Sequence, residues 1–583
     1  MTKILGGKSR YASNILHLFA HLILAIGVGT ALSAAYLMRA GYSVVPFWDE
    51  LDEMTSYVDA LHKSVLAWMW AQHNEHRLLF YKSLFLVDMQ VFKGRNWPMY
   101  AAIFCSQVAL AIVFGYMLHK LGDFKGPVWQ ACFGLTLYCL FCPSQWENFS
   151  WAFQLSFVLV NVWVATAVLC LVIQKQRLVA GQPSGVKALL FSLLAATAAT
   201  FTSGNGITVW PVLITVALLA KLPWRLVGAY FVGLACVVPL YLIGYRSPSQ
   251  HASPFESVHQ PRLILEYMEK YLGGGAVPDS HIGWAPVIGL LGLIAAVALV
   301  PRLITRWGKT SLLEYCLAGI VLYSVATALI TSLGRLNFGT NQAFTSRYQT
   351  FALMFWLALS LWIISIVARE LSANWLVAVY LLIVVTTCYS ATQYGRILER
   401  VRHNTAKREL AGVSIITGVH DRDFLQFALL PSPIPMPEIE ELRARRLSLF
   451  STPRAAQFGQ TFAQFYRTVS PDKCEGNVEA ASFVDANLEG VGIRGWVIDR
   501  QTSGPLEQVV FVAEGKIVGF GVLRPGRVDV AKALHSERAI DSGWIGYAKL
   551  TESRTLDFYG ILNSSGHKDG CHFATLPIGS FYR

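Results

Sequence analysis

The acidic residues of the first two-thirds of this chain are concentrated in one short segment. Positions 1–393 contain 15 Asp and Glu residues, and seven of them lie within 40–97. The segment opens with Phe47-Trp48-Asp49-Glu50, and Asp52 follows closely. Carboxylates beside aromatic side chains suit general-base work on a hydroxyl group, and they could equally bind a divalent cation such as Mg²⁺ or Mn²⁺. We therefore take Asp49, Glu50 and Asp52 as candidate catalytic residues; the alternative is a loop that simply tolerates charge.

A second polar group follows in the same segment, at His73, Glu75, His76 and Arg77. The two histidines and the glutamate could form a metal site, but zinc usually has three or four protein ligands. Only His62 stands nearby as a further histidine. Polar contacts to a sugar or a phosphate are therefore favoured, and we predict no metal ligands here.

Two short turns between apolar segments carry amide side chains, and the first of them also carries aromatic and acidic side chains. One contains Trp146, Glu147, Asn148 and Gln154, and the other is Ser203-Gly204-Asn205-Gly206. Aromatic faces with amide and carboxylate groups suit a sugar, which has apolar C–H faces and hydroxyl edges. The glycines of the second turn permit a close approach of a ligand. The alternatives are an aromatic belt at the membrane surface for the first turn and a plain hairpin for the second. We take the four residues of the first turn and Asn205 as candidate sugar or acceptor contacts.

Two arginines, Arg335 and Arg347, flank a polar stretch between apolar segments, and Tyr348 follows the second. A guanidinium group can hold a phosphate through two parallel hydrogen bonds. We predict that Arg335, Arg347 and Tyr348 bind the phosphate of a lipid; the alternative is a long side chain that reaches out of the bilayer.

The elements that position these residues are predominantly apolar helices. The chain has 583 residues, of which 54% are hydrophobic and 14% charged, and 40 of its 84 charged residues lie in 1–393. This composition excludes a disordered, fibrous or wholly soluble chain. Most of the net charge of +12 lies in the apolar part, where membrane topology explains it better than a nucleic-acid partner does.

Runs long enough to cross a bilayer predict a polytopic α-helical membrane domain over 1–393 with about eleven spans. They lie near 15–38, 98–118, 126–142, 153–174, 187–203, 206–222, 225–244, 284–305, 311–333, 349–368 and 374–393. Within the first external loop, 40–97, the stretch 55–92 is predicted to be an amphipathic interfacial helix.

The distribution of Lys and Arg predicts the orientation of these spans. Lys3, Lys8 and Arg10 precede the first span, whereas the turns 144–152 and 203–206 contain neither Lys nor Arg. With a cytoplasmic N-terminus and an odd number of spans, the C-terminal third lies outside. This topology predicts a multi-pass membrane protein with an external C-terminal domain.

The last third has ordinary soluble composition. Residues 394–475 are predicted to form a helical connector with a proline-rich break at 431–437. Short β-like runs at 495–499, 509–513, 517–522 and 555–559 predict a β-sandwich over 476–583, either a carbohydrate- or protein-binding module or a rigid cap. Cys474 and Cys571 are its two cysteines, and they could pair in an oxidising compartment or stay as free thiols.

This layout resembles the GT-C superfamily of integral membrane glycosyltransferases, which take a sugar from a polyprenyl-phosphate carrier. The resemblance covers the whole chain as architecture, and four short motifs carry it: Phe47-Trp48-Asp49-Glu50, Trp146-Glu147-Asn148, Ser203-Gly204-Asn205-Gly206 and Ser346-Arg347-Tyr348. These motifs look like those of bacterial members, including O-antigen-type glucosyltransferases and the arabinofuranosyltransferases that modify type IV pilins.

The resemblance implies an inverting transferase that moves one sugar to an extracytoplasmic glycan or protein. It also implies a bacterial inner (plasma) membrane protein with a periplasmic C-terminal domain. It assigns Asp49 as the base, with Glu50 or Asp52 assisting, and Arg335 and Arg347 as the phosphate holders. Many members have a carboxylate–hydrophobic–carboxylate pair, whereas Asp49 and Glu50 are adjacent, so the number of acting carboxylates and the need for a metal stay open. The competing hypotheses are a polymerase or ligase using polyprenyl diphosphate, a lipid-linked sugar transporter and a non-catalytic scaffold.

Overall fold

The computed structural model describes residues 10–182, 185–248, 254–305, 310–421, 425, 427, 436–484, 489–524, 526–550, 555–564 and 567–578. Four of the basic residues that bear on the predicted topology (Lys3, Lys8, Arg306 and Lys309) and positions 431–435 of the proline-rich break lie outside the described residues.

Eight helical segments within the described residues are long and apolar enough to cross a membrane. They are Ser13–Gly41, Trp97–Leu121, Ala152–Val179, Trp224–Leu242, Asp279–Thr305, Leu312–Phe338, Ser346–Glu370 and Ala373–Thr417. The last of these contains two helices, Ala373–Ala391 and Tyr394–Thr417. Eight of the eleven predicted spans coincide with these segments.

The other three predicted spans are shorter helices, Gly126–Leu140, Val186–Thr200 and Val209–Leu219. At about 1.5 Å per residue, a helix of 15 residues is about 22 Å long, which is less than the roughly 30 Å of bilayer hydrocarbon. The count of eleven spans therefore exceeds the eight that satisfy the length requirement.

The remaining helices are short or polar. They are Asp49–His62, Val65–Trp70, Leu79–Val91, Trp146–Ser150, Pro254–Val258, Pro261–Gly274, Met436–Ala444, Pro453–Gln457 and Val528–Ala533. The stretch 55–92, which is predicted to be helical and amphipathic, contains parts of three helices, with a short break at 63–64 and a hairpin at 71–78 between them.

The chain separates into two compact units, each formed by three segments of the sequence. Unit 1 comprises Met1–Arg39, Met69–Leu84 and Met99–Leu398, and unit 2 comprises Ala40–Trp68, Phe85–Pro98 and Glu399–Arg583. The predicted external loop, 40–97, is thus divided between the two units. Its Asp49–His62 helix belongs to the same unit as the C-terminal third.

Within unit 1, helices Leu312–Arg335 and Gln349–Glu370 pack side by side and carry charged groups at both ends. At one end, Arg302 forms ion pairs with Glu314 and Glu370; at the other end lie Arg335 and Arg347. Glu314 and Arg335 are separated by about 31 Å along their helix. The charged ends of this pair are thus separated by about the hydrocarbon thickness of a bilayer.

The C-terminal strands form one curled sheet, a β-rich half-barrel, and not the two-sheet sandwich that we predict from the sequence. The strands are β1 Arg467–Val469, β2 Cys474–Phe483, β3 Gly490–Asp499, β4 Gln508–Ala513, β5 Lys516–Arg524, β6 Gly543–Lys549, β7 Thr555–Ser564 and β8 His567–Pro577. Their order is β1-β8-β7-β4-β5-β6-β3-β2, with β1 parallel to β8 and the other pairs antiparallel.

A disulfide joins Cys474 and Cys571, the pair singled out in the sequence. Cys474 begins β2 at one edge of the sheet, and Cys571 lies in β8, next to the opposite edge. The bond therefore ties the two ends of one sheet together around a buried core that includes Phe511, Trp544 and Phe558. The curl lets a single sheet enclose a core without a second layer.

Candidate functional site

A tight hairpin in unit 1 presents the predicted histidine cluster. His73 and His76 exchange two main-chain hydrogen bonds of 2.8 and 2.9 Å, and Asn74 adopts a left-handed conformation with φ of 48°. Asn tolerates this conformation better than most residues. The hairpin interrupts the predicted helix and places Glu75 at its tip.

Arg77 anchors this hairpin. Its guanidinium donates to the carbonyls of Trp70, Tyr241 and Ile243, at 2.6 Å for Tyr241, and stacks 4.8 Å from the Trp70 ring. Burial lowers the pKa of Arg77 below its ordinary value. Because main-chain carbonyls engage Nε and both Nη atoms, Arg77 holds the fold locally, and the structure gives no support to the predicted sugar contact.

Glu75 and His76 meet Arg335 at the end of helix Leu312–Arg335. Nη2 of Arg335 donates to Oε1 of Glu75, and Nε2 of His76 lies 3.4 Å from the same oxygen. On its other side, His76 accepts a hydrogen bond of 2.9 Å at Nδ1 from the main-chain N–H of Gly204. Three separate parts of the sequence, at Glu75–His76, Gly204 and Arg335, are thus joined by one chain of polar contacts.

The glycines of the 203–206 turn are required by this packing. A Cβ on Gly204 would lie 2.8 Å from Nδ1 of His76, and one on Gly206 would lie 1.8 Å from the carbonyl oxygen of Ala199. Asn205, a predicted sugar contact, is buried, and its carbonyl accepts a hydrogen bond from Thr208. The glycines therefore allow contacts within the protein, whereas the sequence suggested a close approach of a ligand.

Arg347 is held by the aromatic–amide turn. Its main-chain N–H donates to Oε2 of Glu147 at 2.9 Å, and its guanidinium lies 3.7 Å from Oε1. Asn148 donates to the carbonyl of Arg347 at 3.1 Å, and the ring of Trp151 lies 6.0 Å from the guanidinium carbon. Glu147 and Asn148 thus position Arg347.

The other two candidates of this turn differ in exposure. Gln154 is buried at 1% exposure, and Trp146 is half-buried.

Three tyrosines surround the two arginines. Tyr348 stacks on Tyr271 with ring centres 5.4 Å apart, and Tyr267 lies one helical turn from Tyr271 on helix Pro261–Gly274. Burial raises the pKa of the Tyr267 hydroxyl well above its ordinary value, while Arg335 and Arg347 both oppose that shift. Both guanidinium groups therefore lie within electrostatic reach of one phenol.

Tyr267 and Tyr271 were missed in the sequence analysis. The available signal was their spacing of four residues in a helix that also carries Glu266, Glu269 and Lys270. Two aromatic side chains one turn apart share a helix face, and in this helix that face is the buried one.

Unit 2 contains the predicted catalytic carboxylates at the start of helix Asp49–His62. Asp52 is exposed and Asp49 is half-buried, whereas Glu50 and Glu53 are both buried. Helical spacing explains this division, because residues three apart share a face and adjacent residues do not. Glu50 is therefore separated from the accessible face that Asp49 and Asp52 share.

Glu50 instead takes part in a buried polar group of unit 2. Its Oε1 accepts a hydrogen bond from Nδ2 of Asn96, whose main-chain N–H donates to Asp88 at 3.0 Å. Burial raises the pKa of Glu50 to about 7 and that of Asp88 to about 6; Arg408 and Asn96 oppose the shift at Glu50, and Asp88 adds to it. A fully enclosed carboxyl is poorly placed to touch a sugar acceptor.

Trp48 fixes the start of this helix. It precedes Asp49 with a φ of 50°, and its indole N–H donates to the carbonyl of Phe427 at 2.9 Å. The ring of Phe47 stacks on Trp48 and lies 5.3 Å from the guanidinium carbon of Arg408. These contacts orient the Asp49 end of the helix within unit 2.

Within the described residues, no three His, Cys, Asp or Glu side chains are grouped so that they could hold a metal ion. Comparison with known proteins adds no further assignment: no family model, curated protein or solved structure matches this chain.

Proposed function

We propose that this protein is an inverting membrane glycosyltransferase. It moves a single sugar from a polyprenyl-phosphate carrier to the hydroxyl of an extracytoplasmic glycan or protein. The enzyme lies in a bacterial inner membrane with its C-terminal half-barrel in the periplasm. The three shorter helices cross the membrane together with the eight long ones, which gives the eleven predicted spans. The disulfide in the half-barrel suits an oxidising compartment.

The observation that carries this proposal is the cluster of Arg335, Arg347 and tyrosines in unit 1. Both guanidinium groups lie at ends of helices that are long and apolar enough to span a bilayer. A lipid phosphate lies at this depth, and phenol rings beside it suit the first apolar carbons of a prenyl chain. Arginine at such a position can stabilise the negative charge that develops on the leaving phosphate.

The charge of the cluster favours a monophosphate donor over a diphosphate donor. Arg335 is paired with Glu75, and Arg347 is paired with Glu147. With all four groups ionised, the pairs carry no net charge. A polyprenyl-phosphate sugar is a diester with one negative charge, whereas a diphosphate carries two and would require additional cations.

The assignment of the base rests on the resemblance and on the exposure of the carboxylates. Asp49 activates the acceptor hydroxyl, and Asp52, on the same helix face, is the assisting carboxylate. Glu50 is not given this role because its carboxyl is enclosed. A single displacement by the acceptor oxygen forms the new glycosidic bond as the bond to the carrier phosphate breaks, and it inverts the anomeric carbon.

The test uses the full chain purified in detergent, with a panel of polyprenyl-phosphate sugars and an envelope extract as the source of acceptor. Arg335→Gln and Arg347→Gln should each lower the rate of donor consumption by about 10²-fold or more, the range for loss of a group that stabilises transition-state charge. The matched control is Arg302→Gln, which removes a guanidinium bridging two glutamates at the opposite end of the same helix pair.

Retention of transfer by Arg302→Gln, together with its loss in the other two variants, would support the phosphate assignment. Equal rates in all three variants and the wild type would refute it. Consumption of polyprenyl-diphosphate-linked glycans alone would favour a polymerase or ligase.

A further inference from the structure

The polar contacts that run from Gly204 through His76 and Glu75 to Arg335 also determine which ring nitrogen of His76 carries the proton. The main-chain N–H of Gly204 donates to Nδ1 of His76, so that nitrogen carries a lone pair and the ring proton lies on Nε2. Nε2 faces Oε1 of Glu75 at 3.4 Å. The turn at 203–206 therefore selects the tautomer of His76 that directs its proton toward Glu75.

Contacts at the main chain and beside the carboxylate hold Glu75 in place. The hydroxyl of Tyr241 donates to its main-chain carbonyl at 2.7 Å, and the ring of His76 is fixed against the edge of Phe157 at 6.1 Å. A carboxylate constrained in this way offers one defined position to a cation. Its partner is Nη2 of Arg335.

The guanidinium of Arg335 retains further donors. Among the described residues, its hydrogen bond to Glu75 is made through Nη2, and the ring of Phe338 lies 5.8 Å from its central carbon. A guanidinium has five N–H groups in one plane. With Nη2 fixed by Glu75, the direction of the plane is constrained and the remaining edges stay available to a phosphate.

We propose that His76 and Glu75 are positioning residues for Arg335: His76 orients Glu75, and Glu75 orients the guanidinium that binds the donor phosphate. This inference rests on the proposed function. It replaces the predicted direct contact of Glu75 and His76 with sugar by an indirect role in donor binding. Residues that orient a ligand-binding group in this way commonly change affinity or activity by about 10- to 100-fold when removed.

Three substitutions of His76 separate its two contacts. His76→Gln carries an amide N–H near the place of Nε2 and keeps a donor for Glu75, whereas His76→Asn carries an amide oxygen near the place of Nδ1 and keeps an acceptor for Gly204. We expect His76→Ala and His76→Asn to raise the donor KM or lower kcat by about 10- to 100-fold. We expect His76→Gln to recover most of that loss.

A double-mutant cycle with Arg335→Gln provides the decisive readout. If His76 acts through Arg335, His76→Ala should have little further effect in the Arg335→Gln background, so the two losses should not multiply. Multiplying losses, or a His76→Gln variant as impaired as His76→Ala, would overturn the inference. Unfolding temperatures measured for each variant distinguish these outcomes from a general loss of stability.

Failure of the proposed function is distinguishable from failure of this inference. The rise in unfolding temperature caused by free polyprenyl phosphate reports binding without turnover. A wild-type protein that consumes no donor would reject the proposed function. If the inference is correct, His76→Ala and Arg335→Gln would still lower the rise in unfolding temperature caused by polyprenyl phosphate, and to the same extent. A rise in His76→Ala equal to that of the wild type would reject the inference by itself.

Discussion

The buried carboxyl of Glu50 predicts a specific dependence of stability on pH. Burial raises its pKa from about 4.5 to about 7, so the folded protein binds this proton more tightly than the unfolded chain does. The free energy of unfolding contributed by Glu50 is therefore highest below pH 4.5 and falls as the pH rises toward 7. The difference of about 2.5 pKa units corresponds to roughly 3 kcal/mol.

The Glu50→Gln variant removes this titration while keeping the shape of the side chain. Its amide oxygen can still accept the hydrogen bond from Asn96, whereas its amide nitrogen replaces Oε2, which has no hydrogen-bond partner in the described structure. That unpaired amide costs about 1–3 kcal/mol, and the cost is the same at every pH. The effect of interest is therefore the change with pH and not the absolute stability.

The assay is thermal unfolding of the full chain in detergent between pH 5 and 8, followed by tryptophan fluorescence. Relative to the wild type, Glu50→Gln should gain about 2.5 kcal/mol between pH 5 and pH 8, or on the order of 5 to 10 °C for a unit of this size. Asp59→Asn, on the exposed side of the same helix, is the matched control and should follow the wild type. A difference between Glu50→Gln and the wild type that does not change with pH would refute the reasoning.

Two further predictions concern local structure. Cys474→Ser removes the disulfide to Cys571, which closes a loop with a sequence separation of 97 residues. We expect the free energy of unfolding to fall by about 2–5 kcal/mol, measured as a lower unfolding temperature that reductant reproduces in the wild type. An unfolding temperature that reductant leaves unchanged would contradict this. Gly206→Ala places a Cβ 1.8 Å from the carbonyl oxygen of Ala199 and should cost about 1–3 kcal/mol or more. Gly228→Ala, whose Cβ would meet nothing within 4 Å, should be neutral in the same unfolding assay, and equal effects would contradict the packing argument.

The helices could be predicted from the sequence wherever the length of an apolar run alone determines the structure. The eight helices that are long and apolar enough to cross a membrane contain runs of apolar residues as long as a bilayer requires, and such runs have one stable arrangement in lipid. The helices at 126–140, 186–200 and 209–219 are equally apolar, but turns end them early. Composition alone does not show where a helix stops.

The C-terminal strands could likewise be predicted one by one, whereas their arrangement into a sheet could not. The predicted runs near 495–499, 509–513, 517–522 and 555–559 all lie within observed strands, because alternating apolar residues specify a strand locally. Whether eight strands form two layers or one curled sheet depends on the pairing of distant strands. The pairing of β1 with β8 and the Cys474–Cys571 bond decide this, and no local pattern contains that information.

The residue types of the candidate site could be predicted from the sequence, whereas the contacts between these residues were harder to predict. Arg335, Arg347, Glu75 and Glu147 stood out as charged residues in an apolar chain, but their pairing requires loops from four parts of the sequence to meet. The orientation of Glu50 was accessible from helical periodicity, since the apolar residues Leu51, Met54 and Val58 define a buried side that continues to it.

The central claim is a transfer reaction that depends on Asp49, and donor consumption tests it most directly. The wild type and Asp49→Asn are incubated with each polyprenyl-phosphate sugar and an envelope extract, with Asp59→Asn as the control for an Asp-to-Asn change on the same helix. We predict that the wild type and the control consume one donor and that Asp49→Asn does so at least about 100-fold more slowly, as loss of a general base requires. Normal consumption by a folded Asp49→Asn, or no consumption of any donor by the wild type, would contradict the account.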